Sequence, residues 1–189
     1  MRSRVVNSGV TSAFWLLVCL PMLLAGCAQQ PTLTCSPNWK ITGYYVPRQQ
    51  DFPATPTTAI TIAGFGTARL ASPFLQATKL EGWGRLQTAI NGYPYLGFYS
   101  GGWHLSHSPK NSLGGDLAIG QVAADNTYLS EGTTVTIPVL TSIFNQGVFK
   151  VADRGSAIGK RHIDIYTGEG EAARALSYRV THASTELCL

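Results

Sequence analysis

The second half of the chain alternates between apolar and polar positions in short runs. Thr133-Thr-Val-Thr-Ile-Pro-Val139 alternates until it breaks near Pro138, and Gly147-Val-Phe-Lys-Val-Ala152 alternates again. Leu117 to Ala124 and Ile163-Asp-Ile-Tyr166 have the same character. A period of two puts one face in a core and one in solvent, so each run predicts a β-strand. Gly170 to Leu176 is different: Glu-Ala-Ala-Arg-Ala-Leu is a good helix former, and one short helix is expected there. Tyr178 to His182 is expected to be the last strand. The first half is less regular. Ile41 to Val46 reads as a strand stopped by Pro47, and residues 48–56 as a Pro- and Gln-rich loop. Ile60 to Ala63 reads as a short strand, Phe74 to Leu80 as a helical turn, Glu81 to Arg85 as loop and Tyr93 to Tyr99 as extended chain. Gly101, Gly102, Gly114 and Gly115 mark turns. Short strands between frequent turns predict a small barrel or sandwich.

The N-terminus follows another logic. Met1 to Val10 carry Arg2 and Arg4 and no acid, and Ala13 to Leu24 form an apolar run. That run is short of the ~20 residues a spanning helix needs. It fits the apolar region of a signal peptide. It ends in Leu24-Ala25-Gly26-Cys27, which resembles the lipobox of bacterial lipoproteins. The resemblance implies that residues 1–26 are removed and that Cys27 carries lipid. It further implies, from Ala28 at the next position, a periplasmic protein anchored to the outer membrane of a Gram-negative cell. The alternative is an ordinary signal peptide with Cys27 in a disulfide. Residues 27–40 would form a tether.

Composition narrows the picture. Of 189 residues, 44% are hydrophobic and 13% charged, which is globular usage. The formal charge is +4; without Arg2 and Arg4 it is 12 bases against 10 acids, or +2. So small an excess gives no support to nucleic-acid binding. With Cys19 in the signal and Cys27 acylated, Cys35 and Cys188 are left in an oxidising compartment, either bridged or as two free thiols. No cysteine pair has zinc-ligand spacing, and His104 and His107 lack a third ligand, so no metal is expected. No phosphate-binding or nucleophile-elbow motif points to a cofactor.

Three of the ten acids sit oddly. Asp125 follows Val-Ala-Ala and Asp153 follows Lys-Val-Ala, each at a strand end, while Asp164 lies between Ile163 and Ile165. A carboxylate inside a short strand is costly unless it faces a partner or a cleft. Asp153 and Asp164 flank the Gly-containing turn Arg154-Gly-Ser-Ala-Ile-Gly-Lys160, which brings them toward one another. Proximity of like charges and burial both raise a carboxyl pKa and make it a proton donor near neutrality. Aspartates beside a glycine turn also commonly cap their own backbone. Trp83, Tyr93, Tyr95, Tyr99 and Trp103 form an aromatic group that suits either core packing or a platform for sugar rings.

The run Val-Ala-Asp153-Arg-Gly-Ser-Ala-Ile-Gly-Lys-Arg-His-Ile-Asp164-Ile-Tyr-Thr-Gly resembles the signature of the 3D domain, named for three aspartates. The spacing between the two aspartates matches without a gap. Val-Ala-Ala-Asp125 and Ser130-Glu-Gly-Thr-Thr-Val-Thr-Ile-Pro138 resemble the upstream part of that pattern. Ile41-Thr-Gly-Tyr-Tyr-Val-Pro47 resembles the first barrel strand of the membrane-bound lytic transglycosylase A family, which shares the domain. The resemblance implies a mainly β fold: a six-stranded double-psi β-barrel over residues 41–189 with a loop-rich insertion at about 49–115. It implies cleavage of peptidoglycan between N-acetylmuramic acid and N-acetylglucosamine, with a 1,6-anhydro product. Asp164 maps onto the catalytic acid, with Asp153 as its neighbour and Asp125 as a supporting group. Arg154, Lys160, Lys79, Trp83 and Trp103 are candidates for substrate contact. The chain departs from the pattern at Arg154, Ser156, Asn126 and His162. A non-catalytic, expansin-like glycan-binding barrel is the alternative function, and a hydrolase on the same fold is a third.

Overall fold

A computed structural model describes residues 33–189. In chain order the elements are β1 (Cys35–Val46), β2 (Thr57–Ile62), β3 (Gly66–Ala71), α1 (Ser72–Glu81), β4 (Trp83–Ile90), β5 (Tyr93–Tyr99) and β6 (Gly102–Ser106). They continue with β7 (Gln121–Ala124), β8 (Thr134–Thr136), β9 (Val148–Asp153), β10 (His162–Glu169), α2 (Gly170–Arg179) and β11 (His182–Cys188). Six strands close a barrel in the order β1-β10-β7-β9-β8-β11. β1 pairs with β10 in parallel, and so does β7 with β9, while the other barrel neighbours are antiparallel. These two crossed parallel pairs make it the expected double-psi barrel.

Alternation explains the barrel. Ile41 on β1, Val122 and Ala124 on β7, Val135 on β8, Phe149 and Val151 on β9, and Ile163 and Ile165 on β10 face one buried core. The residues between them face outward, as a period of two requires. The helix α2 lies close against β1 at Gly43. A Cβ there would stand 2.7 Å from the Ser177 Cα and 2.7 Å from the Val180 Cγ2, so only glycine permits the approach. The Thr167 hydroxyl donates to the carbonyls of Tyr44 (2.8 Å) and Ala173 (2.9 Å), tying β10 to both β1 and α2.

The insertion is more regular than expected. It forms a five-stranded sheet, β3-β2-β6-β5-β4, with α1 packed on it through Phe74, Leu75 and Thr78. The helical turn foreseen at Phe74 to Leu80 is thus a full helix, and α2 is a second. The segment read as loop at Glu81 to Arg85 instead closes α1 and starts β4. Tyr178 to His182 is not the last strand: α2 continues to Arg179, and β11 runs from His182 to Cys188. No helix breaker interrupts α2 before the β-branched pair Val180-Thr181. β1 begins at Cys35, inside the segment read as a tether. Cys35 and Cys188 are paired across β1 and β11 and joined by a disulfide. Among the described residues no helix is long and apolar enough to cross a membrane. Cys19, Cys27 and the signal segment lie outside the described residues.

Candidate active site

The outer face of the barrel carries the polar residues that alternate with the core. On β1 these are Lys40, Thr42 and Tyr44, and on β10 their register partners His162, Asp164 and Tyr166. β7 places Ala123 opposite Asp164, and β9 places Asp153 opposite Ala123. Asp164, Ala123 and Asp153 therefore form one row across three strands. At about 4.8 Å per strand step, the two aspartate backbones are ~10 Å apart. Ala123 between them is itself buried.

Asp164 is half-buried, and its partners are specific. The Thr42 hydroxyl donates to its Oδ1 at 2.6 Å. The same hydroxyl oxygen lies 2.9 Å from the His162 Nε2, which supplies the donor once the threonine proton is spent on Asp164. Burial pushes the Asp164 pKa up, and the charge of Asp153 adds to this; the Thr42 bond and Lys40 act the other way. Burial comes first among the causes and decides the direction. Burial and Lys40 lower the pKa of His162.

Asp153 accepts from the Tyr44 hydroxyl at Oδ2 (2.9 Å) and, at Oδ1, from the backbone N–H of Ser112 (2.7 Å) and of Arg154 (2.8 Å). Tyr44 thus reaches from β1 to β9, with its ring 5.5 Å from that of Tyr166. Burial, then the Asp153 charge, raise the Tyr44 pKa well above its ordinary value, so it stays a donor. The Arg154 guanidinium turns instead to Glu131 at 3.6 Å. Asp125 is committed to its turn: Oδ1 accepts from the Thr127 hydroxyl (2.7 Å) and N–H (2.9 Å), and Oδ2 from the Lys160 N–H (2.8 Å). These bonds hold its pKa below the usual carboxylate value and pin the 154–161 turn to the end of β7.

The aromatic residues divide. Trp83 is buried with Val46 and Tyr166, where the second sheet meets the barrel, and its Nε1–H donates to the Lys110 carbonyl at 2.8 Å. Trp103 packs on the core of the second sheet, edge-on to Phe98 at 4.8 Å. Lys79 sits over the Phe98 ring at 4.8 Å. His104 stacks on Tyr99 at 4.0 Å, and the His107 ring lies 4.3 Å from that of Tyr93. Core packing therefore accounts for Trp83 and Trp103.

Several participants were not singled out from the sequence. Thr42, Tyr44 and His162 follow from alternation once the β1–β10 register is known. Ser112 contributes only its backbone, which carries no sequence signal. Glu81, expected from the sequence to be a solvated charge or to line a groove with Lys79, is instead drawn out of water at the end of α1 and accepts at Oε2 from the Tyr45 N–H at 3.3 Å, where a bulge between Tyr44 and Val46 interrupts the pairing of β1 with β10. Burial, with help from the Asp164 charge, raises its pKa from 4.5 to about 7.

Residues 120–184, from just before β7 to the first residues of β11, match the family model of the 3D domain. The described fold is similar to that of Escherichia coli MltA with bound chitohexaose (TM-score 0.60, 15% identity, covering 80% of this chain and 71% of that one). It is similar also to the membrane-bound lytic murein transglycosylase from Agrobacterium tumefaciens (TM-score 0.55, 16% identity, covering 79% and 73%). At these identities the likeness is one of fold. No curated protein is significantly similar in sequence.

Proposed function

We propose that this chain is a peptidoglycan lytic transglycosylase with Asp164 as its general acid and base. The observation that carries the reading is a half-buried carboxyl on the outer face of a 3D-domain barrel, with its pKa raised by burial and one oxygen held by Thr42. A raised pKa favours the protonated form that the acid step requires. The Asp164 carboxyl protonates the bridging oxygen as the bond from the muramic acid C1 breaks. The 6-hydroxyl of the same sugar then attacks C1 and gives its proton to the Asp164 carboxylate. No water is consumed, and the acid is regenerated. A second carboxylate is unnecessary, because an intramolecular hydroxyl has a high effective concentration. Asp153 and Tyr44 position this face, and Asp125 holds the adjoining turn. Arg154 and Lys160, exposed on that turn, are proposed to contact the glycan. The lipobox-like Leu-Ala-Gly-Cys27 supports a lipid-anchored periplasmic location.

The test is digestion of purified sacculi followed by mass spectrometry. Anhydro products, lighter by one water than hydrolysis products, are expected from the wild type. Asp164→Asn should reduce their release by ~10²–10⁴-fold at an unchanged melting temperature. Reducing-end products would instead establish a hydrolase. Binding to sacculi without any cleavage would establish the glycan-binding alternative.

A further inference from the structure

A second polar constellation lies where β4 of the second sheet meets the end of β10. Arg48, Gln50, Arg85 and Gln87 line a cleft of about 460 Å³, with Leu86, Ala89 and Pro94 as apolar walls. Arg85 is anchored through both its side chain and its backbone. The Arg85 Nη1 donates to the Glu169 Oε2 at 3.0 Å, and the Arg85 N–H to the Pro47 carbonyl at 2.8 Å. The Tyr95 hydroxyl donates to the other Glu169 oxygen at 2.7 Å, which fixes that carboxylate in place.

Arg48 is placed differently. Its Nε is 3.9 Å from the Glu169 Oε2 and, among the described residues, has no hydrogen-bond partner. The guanidinium lies against Gly170, where a Cβ would be 3.1 Å from both Cδ and Nε. Gly170 has φ +78°, so glycine there both allows the backbone and clears the space. One carboxylate, already bonded by Arg85 and Tyr95, faces two guanidinium groups, whose side chains are 41% and 48% exposed. The cleft keeps an unbalanced positive charge beside two amides.

We infer that this cleft binds a carboxylate of the short acidic peptide that branches from the wall polymer. The inference rests on the proposed cleavage reading and specifies its substrate as peptide-bearing strands. The spacing supports it. Asp164 to Glu169 along β10, at about 3.3 Å per residue, is ~16 Å. An extended peptide of roughly four or five residues, at ~3.3–3.6 Å each, covers that distance from a sugar held at Asp164. Guanidinium groups suit the terminus because they bond carboxylates in pairs, and the glutamine amides can serve the adjoining peptide group.

The experiment compares glycan strands that carry peptides with the same strands stripped by an amidase, using the full mature chain. In Arg48→Gln/Arg85→Gln, KM for peptide-bearing strands should rise ~10–100-fold. The rate on stripped strands should be unchanged. Because the double variant also removes contacts to Glu169, Gln50→Glu supplies a second test: it places a like charge in the cleft and leaves both arginines in place. It should weaken peptide-bearing strands selectively. Equal losses on both substrates, or a wild type indifferent to the peptide, would overturn the inference. Titration with a soluble disaccharide–peptide, and with its peptide-free counterpart, reads the cleft without catalysis. If the wild type cleaves nothing yet binds only the peptide form, with loss in Gln50→Glu, the cleft stands and the cleavage reading falls. If neither form binds, the cleft assignment falls.

Discussion

Glu81 gives a pH-dependent stability that can be worked out from its surroundings. Its carboxyl is drawn out of water at the end of α1, near Asp164, and its pKa rises from 4.5 to about 7. The folded chain therefore holds this proton over a range in which the unfolded chain has lost it. Stability then falls as pH rises between the two values, and the loss is complete above the higher one. At ~1.36 kcal/mol per pKa unit, the charged form costs about 3 kcal/mol at pH values above about 7 and almost nothing near pH 4. Glu81→Gln removes the ionisation and keeps an oxygen for the Tyr45 N–H. The variant should match wild type in urea unfolding near pH 4. At about pH 8 it should exceed wild type by about 3 kcal/mol, or roughly 1–3 M in midpoint for ordinary urea slopes. Parallel pH–stability curves for the two proteins would refute the reasoning. So would a wild type more stable than the variant at about pH 8, since the charge would then be compensated rather than stranded.

Other consequences follow from single contacts. The Cys35–Cys188 bridge spans a sequence separation of 153, so in the chain-entropy picture Cys35→Ser/Cys188→Ser should lose about 5 kcal/mol, read as a lower urea midpoint. Gly43→Ala should cost ~1–3 kcal/mol because α2 must move off β1, whereas an unchanged melting curve would show that the close approach is not rigid. Asp125→Asn should loosen the 154–161 turn, seen as faster amide exchange at Lys160, with little effect on the barrel melt. Labelled palmitate should enter the wild type in cells and be lost in Cys27→Ala; equal labelling would exclude lipidation at that residue.

The barrel was legible because its strands obey one rule. Val135, Ile163 and Ile165 alternate with polar neighbours, Phe149 and Val151 flank Lys150, and all five are buried. Period and spacing also marked Asp164 as a carboxylate in an apolar run. The second sheet was harder to read. Gly84 and Gly97 sit inside its strands where a Cβ would strike Phe74 and Thr78 or the Trp83 ring, so the glycine within the segment read as loop at Glu81 to Arg85 serves close packing. The end of α2 was lost for a related reason: Tyr178 and Val180 have strand preferences, but the helix is already nucleated upstream and its last turn packs on the barrel. The Arg48–Glu169–Arg85 cluster joins residues far apart in the chain, and no local pattern foretells it.

What makes Asp164 unusual is its place in the β1–β10 register more than the residue itself. The parallel pairing of Thr42 with Asp164 puts the hydroxyl within 2.6 Å of the carboxyl, and pairing of Tyr44 with Tyr166 sends the phenol over to Asp153. A slip of one residue would turn Thr42 and Tyr44 into the core and Ile41 outward. Three features oppose that slip. The disulfide fixes the start of β1 against β11, Gly43 fits only beneath Ser177 and Val180, and Thr167 bonds the Tyr44 carbonyl. The bulge after Tyr44 would leave the Tyr45 N–H unpaired, and Glu81 from the insertion accepts it. The insertion therefore completes the strand that presents Thr42 and Tyr44. The setting of Asp164 therefore rests on three parts of the chain: β10 carries it, β1 brings Thr42 to its carboxyl, and the inserted sheet supplies Glu81 to the bulge that follows Tyr44.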